Sequence, residues 1–326
     1  HTIDFSNNVS INVNLNSGFE IENIESSHRI ITKKNGKSNA EIKLKNNKIQ
    51  ADQDFILSYS IPTTDKPQIS VFSTKKSDED YYMIMAMGPN DINNNQHIPK
   101  EVTFVIDKSG SMAGENIEYA RISVIQALNN LNSNDSFNII SFSNDFDKYN
   151  FKPVQANQKN IKSATNFINN IRSDGGTEAL PALEWAMLEE HDKNKIKMII
   201  FLTDGAVGYE SDVFQLIDQS NINDARIFPI CIGYAPNSFL LEKVAEMTRG
   251  SYTYIKNHGE ITEKLNNLFN KIENPVLSNI NINFDKYSDY YPRPIKDLYF
   301  NEPLMIFCKA NSSFNEIIFE GQTSNG

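Results

Sequence analysis

The run Val102–Met112, VTFVIDKSGSM, decides the fold of this chain. Its first part, Val102–Ile106, is an apolar run of strand length, and the polar loop Asp107–Met112 follows at once. A second solid apolar strand, Met198–Leu202, also ends in a polar loop. Between and after them, apolar residues recur at helical spacing. Solid strands that alternate with helices predict a parallel sheet with helices on both faces.

On either side of this α/β part, the pattern changes to short strands separated by turn residues. Val9, Ile11, Val13 and Leu15 alternate with polar residues, as in a strand with one buried face. We therefore predict a β-sandwich over residues 1–97, a doubly wound α/β domain over 98–274, and a β segment over 275–326. About 50 residues make a poor independent sandwich, so we expect the last segment to complete the first domain. A separate third module is the alternative.

Three polar loops of the α/β part are predicted to meet at one edge of the sheet. Two of them, Asp107–Met112 and Thr203–Gly205, follow the solid strands directly, and the third, Gly175–Thr177, opens a helix. Ligands of doubly wound sheets bind at the carboxyl ends of the strands. The loops supply carboxylates and hydroxyls without sulfur or imidazole, and such a set suits a hard divalent cation with oxygen ligands. We expect Mg²⁺ there, with Mn²⁺ or Ca²⁺ as substitutes.

The charge of this set predicts what the cation would do. The carboxylates of Asp107 and Asp204 only neutralise a divalent ion, and the hydroxyls add no charge. The ion would therefore still attract an anionic oxygen from outside. A protein ligand that offers an Asp or Glu carboxylate is the expected partner.

The complete set resembles a known family of domains. Asp107-x-Ser109-x-Ser111, then Thr177, then Asp204 is similar to the metal-ion-dependent adhesion site of von Willebrand factor type A domains. The resemblance covers roughly residues 98–274. It implies that Ser109 and Ser111 bind the metal directly, and that Asp107, Thr177 and Asp204 bind it directly or through water.

The flanking segments resemble a particular arrangement of such domains. Ser26–His28 and Asp52–Leu57 are similar to the vault/inter-alpha-trypsin domain of inter-alpha-trypsin inhibitor heavy chains, and Asn274–Leu277 to the segment that follows the adhesion-type domain there. The resemblance implies a protein-binding, adhesion-type function without catalysis. It also implies a secreted or cell-surface location. Because the chain begins at His1 and not at Met, we expect its natural start to be missing.

Two other functions remain as alternatives. A Mg²⁺-dependent phosphatase of the haloacid-dehalogenase kind also places an Asp after a solid strand, but it needs a second carboxylate two residues later as acid and base. Here that position is Ser109. The second alternative is a scaffold in which the metal site is vestigial and the sandwich binds the partner.

Composition excludes several further classes. The formal net charge of −10 makes nucleic acid an unsuitable partner. No apolar run reaches the roughly 18 residues of a membrane helix, so we expect no membrane insertion. Two cysteines, Cys231 and Cys308, are too few for a disulfide framework. The sequence does not indicate which oligomeric state the protein has.

Overall fold

The computed structural model describes most of the chain, in two units that are treated separately. The described residues are 8–46, 48–50, 52–62, 64, 66–89, 98–205, 207–221, 224–233, 236–273, 275–283, 289–299, 302–310 and 317–322. The first unit comprises His1–Asp91, Asp285–Asp289 and Asn301–Asn315, and the second comprises Ile92–Phe284, Tyr290–Phe300 and Glu316–Gly326.

The first part of the chain consists of β-strands. They are β1 (Asn8–Val9), β2 (Asn12–Asn16), β3 (Asn23–Ser26), β4 (Ile30–Lys34), β5 (Asn39–Leu44), β6 (Ile49–Gln50), β7 (Leu57–Ser60), β8 (Gln68–Lys76) and β9 (Glu79–Met87). Strands β2, β5 and β4 form one antiparallel sheet, and β3 and β7 form another. Ile42 of the first sheet and Ile24 and Leu57 of the second belong to one apolar cluster. The alternation in the sequence therefore serves to bury one face of each of these two sheets.

The central part alternates strands and helices. Its elements are β10 (Lys100–Asp107), α1 (Glu115–Asn130), β11 (Ser136–Phe142), β12 (Phe146–Lys148), β13 (Val154–Gln155), α2 (Gln158–Asn170), α3 (Ala179–Leu188), β14 (Ile196–Thr203), α4 (Glu210–Ser220), β15 (Arg226–Ile232), α5 (Ser238–Met247), β16 (Thr253–Ile255) and α6 (His258–Glu273). A 3₁₀ turn, Gly110–Met112, follows β10. Among the described residues, no helix has both the length and the apolar character that crossing a bilayer requires.

The central sheet has the order β12-β11-β10-β14-β15-β16, and β13 also pairs with β11. Strands β11, β10, β14, β15 and β16 are parallel, and β12 and β13 are antiparallel to β11. The chain winds from β10 to β11 in one direction and from β14 to β15 in the other. The adjacent strands β10 and β14 therefore flank the switch point, where doubly wound sheets bind ligands. The predicted α/β class with a mostly parallel central sheet and further antiparallel sheets is confirmed.

Both faces of the central sheet are buried, which explains its solid apolar strands. Phe104 and Ile106 belong to an apolar cluster with residues of α1, α2 and α6. The neighbouring Val105 belongs to a second cluster, with residues of α3, α4 and α5. Every residue of β10 and of β14 is buried. A strand in this position has no solvent-facing side, so its pattern is continuous and not alternating.

The segment after residue 274 divides between sheets. It forms β17 (Pro275–Ile282), β18 (Asp289–Tyr291), β19 (Leu298–Tyr299), β20 (Pro303–Ala310) and β21 (Phe319–Gln322). Strand β20 pairs along its whole length with β9, whereas β17 pairs with β19 and β21. The predicted boundary between residues 97 and 98 borders residues 90–97, which lie outside the described residues.

A buried ion pair ties the strands after residue 274 to the α/β part of the second unit. The Arg226 Nε donates to Asp297 Oδ2 at 2.9 Å, and both side chains are almost fully buried. The Nη2 of Arg226 donates to Asn279 Oδ1 at 2.6 Å, and the Asn279 backbone N–H donates to Asp297 Oδ1 at 3.0 Å. The start of β15 is thereby joined to β17 and to the residue before β19.

We expect Arg226→Met to destabilise the protein by about 3–5 kcal/mol, because it leaves the Asp297 carboxylate buried without its cation. The double variant Arg226→Met/Asp297→Leu should recover part of that loss, because it removes the orphaned charge. Urea unfolding followed by circular dichroism measures both. A loss below about 1 kcal/mol, as for an exposed pair, would contradict this assignment.

Candidate metal site at the carboxyl edge of the central sheet

Asp107 is the last residue of β10 and is fully buried. The Ser109 backbone N–H donates to Asp107 Oδ1 at 2.8 Å, and the Thr203 hydroxyl donates to Asp107 Oδ2 at 2.8 Å. Thr203 ends β14, and its Oγ1 in turn accepts the Gly205 N–H at 3.1 Å. The hydrogen bond from Thr203 thus joins the two strands that flank the switch point, immediately before Asp204.

The two serines stand at the first turn after β10. The Ser109 and Ser111 hydroxyls are hydrogen-bonded to each other, with their Oγ atoms 3.0 Å apart. The 3₁₀ turn fixes this spacing, because the Met112 N–H donates to Ser109 O and the Met112 side chain is buried in the sheet's apolar cluster. Ser109 is buried and Ser111 is exposed. The hydroxyl pair therefore extends from the interior to the solvent.

The third predicted loop is held beside the first by backbone hydrogen bonds. The Gly110 N–H donates to Gly175 O at 3.0 Å, and the Asp174 N–H donates to Lys108 O at 2.8 Å. Gly175 has a φ of +70°, a left-handed conformation that favours glycine. Thr177 follows in this loop and is partly exposed. The structure thus brings all three predicted loops to one edge of the sheet.

Asn144 positions the Thr177 loop, and it was not among the residues predicted for the site. Its Oδ1 accepts the Gly176 N–H at 2.7 Å, and its side chain would lie 2.8 Å from a Cβ at Gly175 or Gly176. The Glu178 N–H donates to Ser143 O at 2.7 Å on the other side of Thr177. Asn144 follows the end of the parallel strand β11, just as Asp107 and Asp204 lie at the ends of β10 and β14. This position at a strand end is the sequence signal that points to Asn144.

Asp145 and Asp174 lie near the site but are engaged differently. Asp145 Oδ1 accepts the Phe146 N–H at 2.7 Å, and Asp174 Oδ1 accepts the Ser143 hydroxyl at 3.1 Å. The ammonium of Lys108 lies 3.1 Å from Asp147 and 3.9 Å from Asp174. The basic residue next to Asp107 in sequence therefore pairs with other carboxylates.

The electrostatics of the edge favour a cation. Burial raises the pKa of Asp107, the hydrogen bonds from Ser109 and Thr203 lower it, and the charge of Asp204 raises it, with a net increase. Burial, and then the charge of Asp204, raise the pKa of the Cys231 thiol to about 12. Two carboxylates that repel each other in a partly desolvated place are stabilised by a positive ion between them.

The donor set fits a small hard ion. Mg²⁺ binds oxygens at about 2.0–2.1 Å in a near-ideal octahedron, so neighbouring ligand oxygens lie about 3 Å apart. The separation of 3.0 Å between the Ser109 and Ser111 hydroxyl oxygens matches that spacing. The described residues contain no group of three or more His, Cys, Asp or Glu side chains that could hold a metal ion, so a candidate site here has to use hydroxyls.

Comparison with known proteins identifies the central domain. Residues 100–254 match the family model of the von Willebrand factor type A domain. A von Willebrand factor A domain-containing protein of Dictyostelium discoideum is 26% identical over 324 residues, which is 96% of this chain and 34% of that protein. Inter alpha-trypsin inhibitor, heavy chain 4 of Mus musculus is 28% identical over 277 residues, which is 77% of this chain and 28% of that protein. This chain therefore spans about a third of the length of these relatives or less.

Solved structures agree on the fold. The von Willebrand factor type A structure from Catenulispora acidiphila matches with a TM-score of 0.61 and 14% identity, and covers 80% of this chain and 67% of that one. The structure of the ArnB paralog VWA2 from Sulfolobus acidocaldarius matches with a TM-score of 0.54 and 16% identity, and covers 79% of this chain and 74% of that one. The chain contains a von Willebrand factor type A domain.

We expect Asn144→Ala to weaken Mg²⁺ binding about tenfold, because outer partners that orient a metal site typically contribute 10–100-fold in affinity. The variant removes the acceptor of the Gly176 N–H and leaves the Thr177 loop less fixed. Calorimetric titration with MgCl₂ measures the affinity. Asn170→Ala is the matched control, since that side chain bonds only its own helix, at Asn166 O. Equal Mg²⁺ affinity in both variants would contradict a positioning role of Asn144 at the site.

Proposed function

We propose that this domain binds Mg²⁺ through Asp107, Ser109, Ser111, Thr177 and Asp204, and that it captures an acidic side chain of a protein partner through the ion. The observation that carries the proposal is the pair of hydroxyls 3.0 Å apart beside the buried Asp107. Mn²⁺ and Ca²⁺ are expected to substitute, because they prefer the same oxygen ligands.

The charge balance supports capture over storage of the ion. Asp107 and Asp204 together carry two negative charges when ionised, which only neutralise a divalent cation. A bound Mg²⁺ would supply a Lewis-acidic position for one more anionic oxygen. Asp107 keeps its orientation through Ser109 and Thr203, so the protein holds the inner side of the site rigid while the outer side stays open.

The accessible side of the site allows a partner to approach. Ser111 is exposed, and Thr177 and Asp204 are partly exposed, whereas Asp107 and Ser109 are buried. A partner carboxylate would therefore reach the ion from the side of Ser111, Thr177 and Asp204. An acidic side chain of another protein, carried on a loop or a terminus, fits such an open edge.

Catalysis by the phosphatase route is less well supported. The acid and base of that reaction would stand two residues after Asp107, at Ser109. The Ser109 hydroxyl is not an acid or base near neutral pH, and it lies beside the Ser111 hydroxyl. We therefore propose a binding module and not an enzyme. Turnover of a generic phosphate ester that disappeared in Asp107→Asn would reverse this preference.

Capture through the ion can be tested with two short peptides in a Gly/Ser background, one with a central Glu and one with Gln. With Mn²⁺ bound to the protein, the side-chain proton signals of the Glu peptide should broaden strongly in NMR spectra, because the carboxylate lies next to the paramagnetic ion. The Gln peptide should show little effect. Asp204→Asn should abolish the broadening, and Asp218→Asn, which removes one exposed carboxylate on α4, should preserve it.

Equal broadening of the Glu and Gln peptides would contradict capture of a carboxylate. If the Mn²⁺ binds but neither peptide responds, the site holds metal without recruiting a ligand, and the scaffold alternative with a vestigial metal site would be favoured. In that case, partner binding should also be insensitive to chelator.

A further inference from the structure

Two large aromatic side chains stand exposed near the Asp204 end of the candidate metal site. Tyr209 is 70% exposed and Phe239 is 65% exposed. Behind them, the ring of Phe214 lies edge-on to that of Phe239, with centroids 6.2 Å apart. Contiguous exposed apolar surface marks sites that bind other molecules, and the contacting rings of Phe214 and Phe239 provide such surface. We call Tyr209, Phe214 and Phe239 the aromatic shelf.

Close backbone packing places the shelf beside the metal loop. A Cβ at Gly205, the residue after Asp204, would lie 2.7 Å from the backbone N of Asn237 and 3.0 Å from the Pro236 Cα. Gly205 has a φ of +89°, so both its space and its conformation require glycine. The start of α5, and with it Phe239, is therefore held directly against the loop that carries Asp204.

A hydrogen bond fixes the two halves of the shelf to each other. The Asn237 Nδ2 donates to Glu210 Oε1 at 2.7 Å, and Asn237 Oδ1 caps α5 by accepting the Leu240 N–H at 3.2 Å. Tyr209 precedes Glu210, and Phe239 follows Asn237 by two residues. One fixed contact thus anchors both residues that carry exposed rings, Tyr209 through its neighbour Glu210 and Phe239 through the nearby Asn237.

The opposite side of the site is charged and acidic. Asp145, Asp147, Asp174 and Glu178 are exposed there, and Lys108 offsets only part of their charge. A second carboxylate on a partner would be repelled from that side. The side of the shelf also carries carboxylates, those of Glu210 and Asp212, but its exposed rings offer apolar surface to the residues that neighbour a captured acid.

We infer that the partner presents a single acidic residue with a large apolar residue, such as Phe or Leu, close to it in sequence. The carboxylate occupies the metal position of the proposed function, on which this inference rests, and the apolar side chain packs on the aromatic shelf. A stretch of several adjacent acidic residues is a poor ligand, because its extra charges meet the acidic side.

The test uses fluorescein-labelled peptides with one Glu in a Gly/Ser background. Phe or Leu is placed one or two residues before or after the Glu, and a peptide with Glu alone and one with three adjacent Glu residues are added. Anisotropy in saturating Mg²⁺ should show about tenfold tighter binding for at least one Phe and one Leu position than for Glu alone, as burial of such a side chain predicts. EDTA should abolish the binding.

Three variants test whether the added affinity of the Phe and Leu peptides comes from the aromatic shelf. Tyr209→Asn and Phe239→Ser should reduce it to about twofold or less, while weak binding of the peptide with Glu alone remains. Asn is chosen at Tyr209 because this residue has a φ of 61°, which Asn tolerates. Phe151→Ser is the control, since Phe151 is 80% exposed and is not part of the shelf. Unchanged Mg²⁺ affinity in all three variants confirms that the metal site is intact.

The outcomes separate the two proposals. If Glu alone binds in a Mg²⁺-dependent manner but Phe and Leu add nothing, or their gain survives in both shelf variants, the shelf is not the subsite and the capture function stands. Tighter binding of the three-Glu peptide than of every Phe or Leu peptide also overturns the inference. If no Glu peptide binds in Mg²⁺, the capture function itself has failed, and the inference fails with it.

Discussion

The fully buried carboxylate of Asp107, at the carboxyl edge of the central sheet, is the constraint on which the proposed site depends. Asp107 ends a strand with no solvent-facing side, and hydrogen bonds from the backbone of Ser109 and the hydroxyl of Thr203 satisfy one lone pair on each of its oxygens. Those donors are neutral, so they orient the charge without cancelling it. A buried charge needs a counter-charge. We propose that this counter-charge is a bound divalent cation, placed close to the carboxylates of both Asp107 and Asp204.

The switch point of the sheet explains why a few residues are enough to form the proposed metal site. Strands β10 and β14 are neighbours in space but come from distant parts of the chain, and their connections leave in opposite directions. The edge between them therefore collects loops from three separate stretches of sequence. The hydrogen bonds from Gly110 to Gly175 and from Gly176 to Asn144 then fix the third loop without using any charged group. The proposed site therefore contains no carboxylate beyond those of Asp107 and Asp204, as the proposed capture of a further acidic group requires.

Much of this arrangement could be predicted from the sequence, because buried parallel strands have a strong local signal. Met198–Leu202 is apolar without interruption, and Val102–Ile106 is apolar apart from Thr103, so polar residues after their ends have to meet at one edge. The short strand Phe146–Lys148 and the 3₁₀ turn at Gly110 were not predicted, because segments of three residues have no periodicity. The role of Asn144 depends on a contact across 32 positions of sequence, which no local pattern shows.

In the segment after residue 274, too, the sequence pattern predicts strands but not which strands they pair with. The apolar run Leu304–Cys308 predicts a strand but not its partner, and β20 pairs with β9, whereas β17 pairs with β19 and β21. The partner of β17 follows from long-range contacts such as the one between Arg226 and Asp297, which are invisible in a pattern of apolar residues.

The most direct measurement is the anomalous diffraction of crystals grown in Mn²⁺. We expect one strong anomalous peak at the carboxyl edge of the central sheet, at a direct-bond distance of about 2–2.3 Å from the hydroxyl oxygens of both Ser109 and Ser111. A peak elsewhere, or none while these two hydroxyls remain hydrogen-bonded to each other, would contradict it.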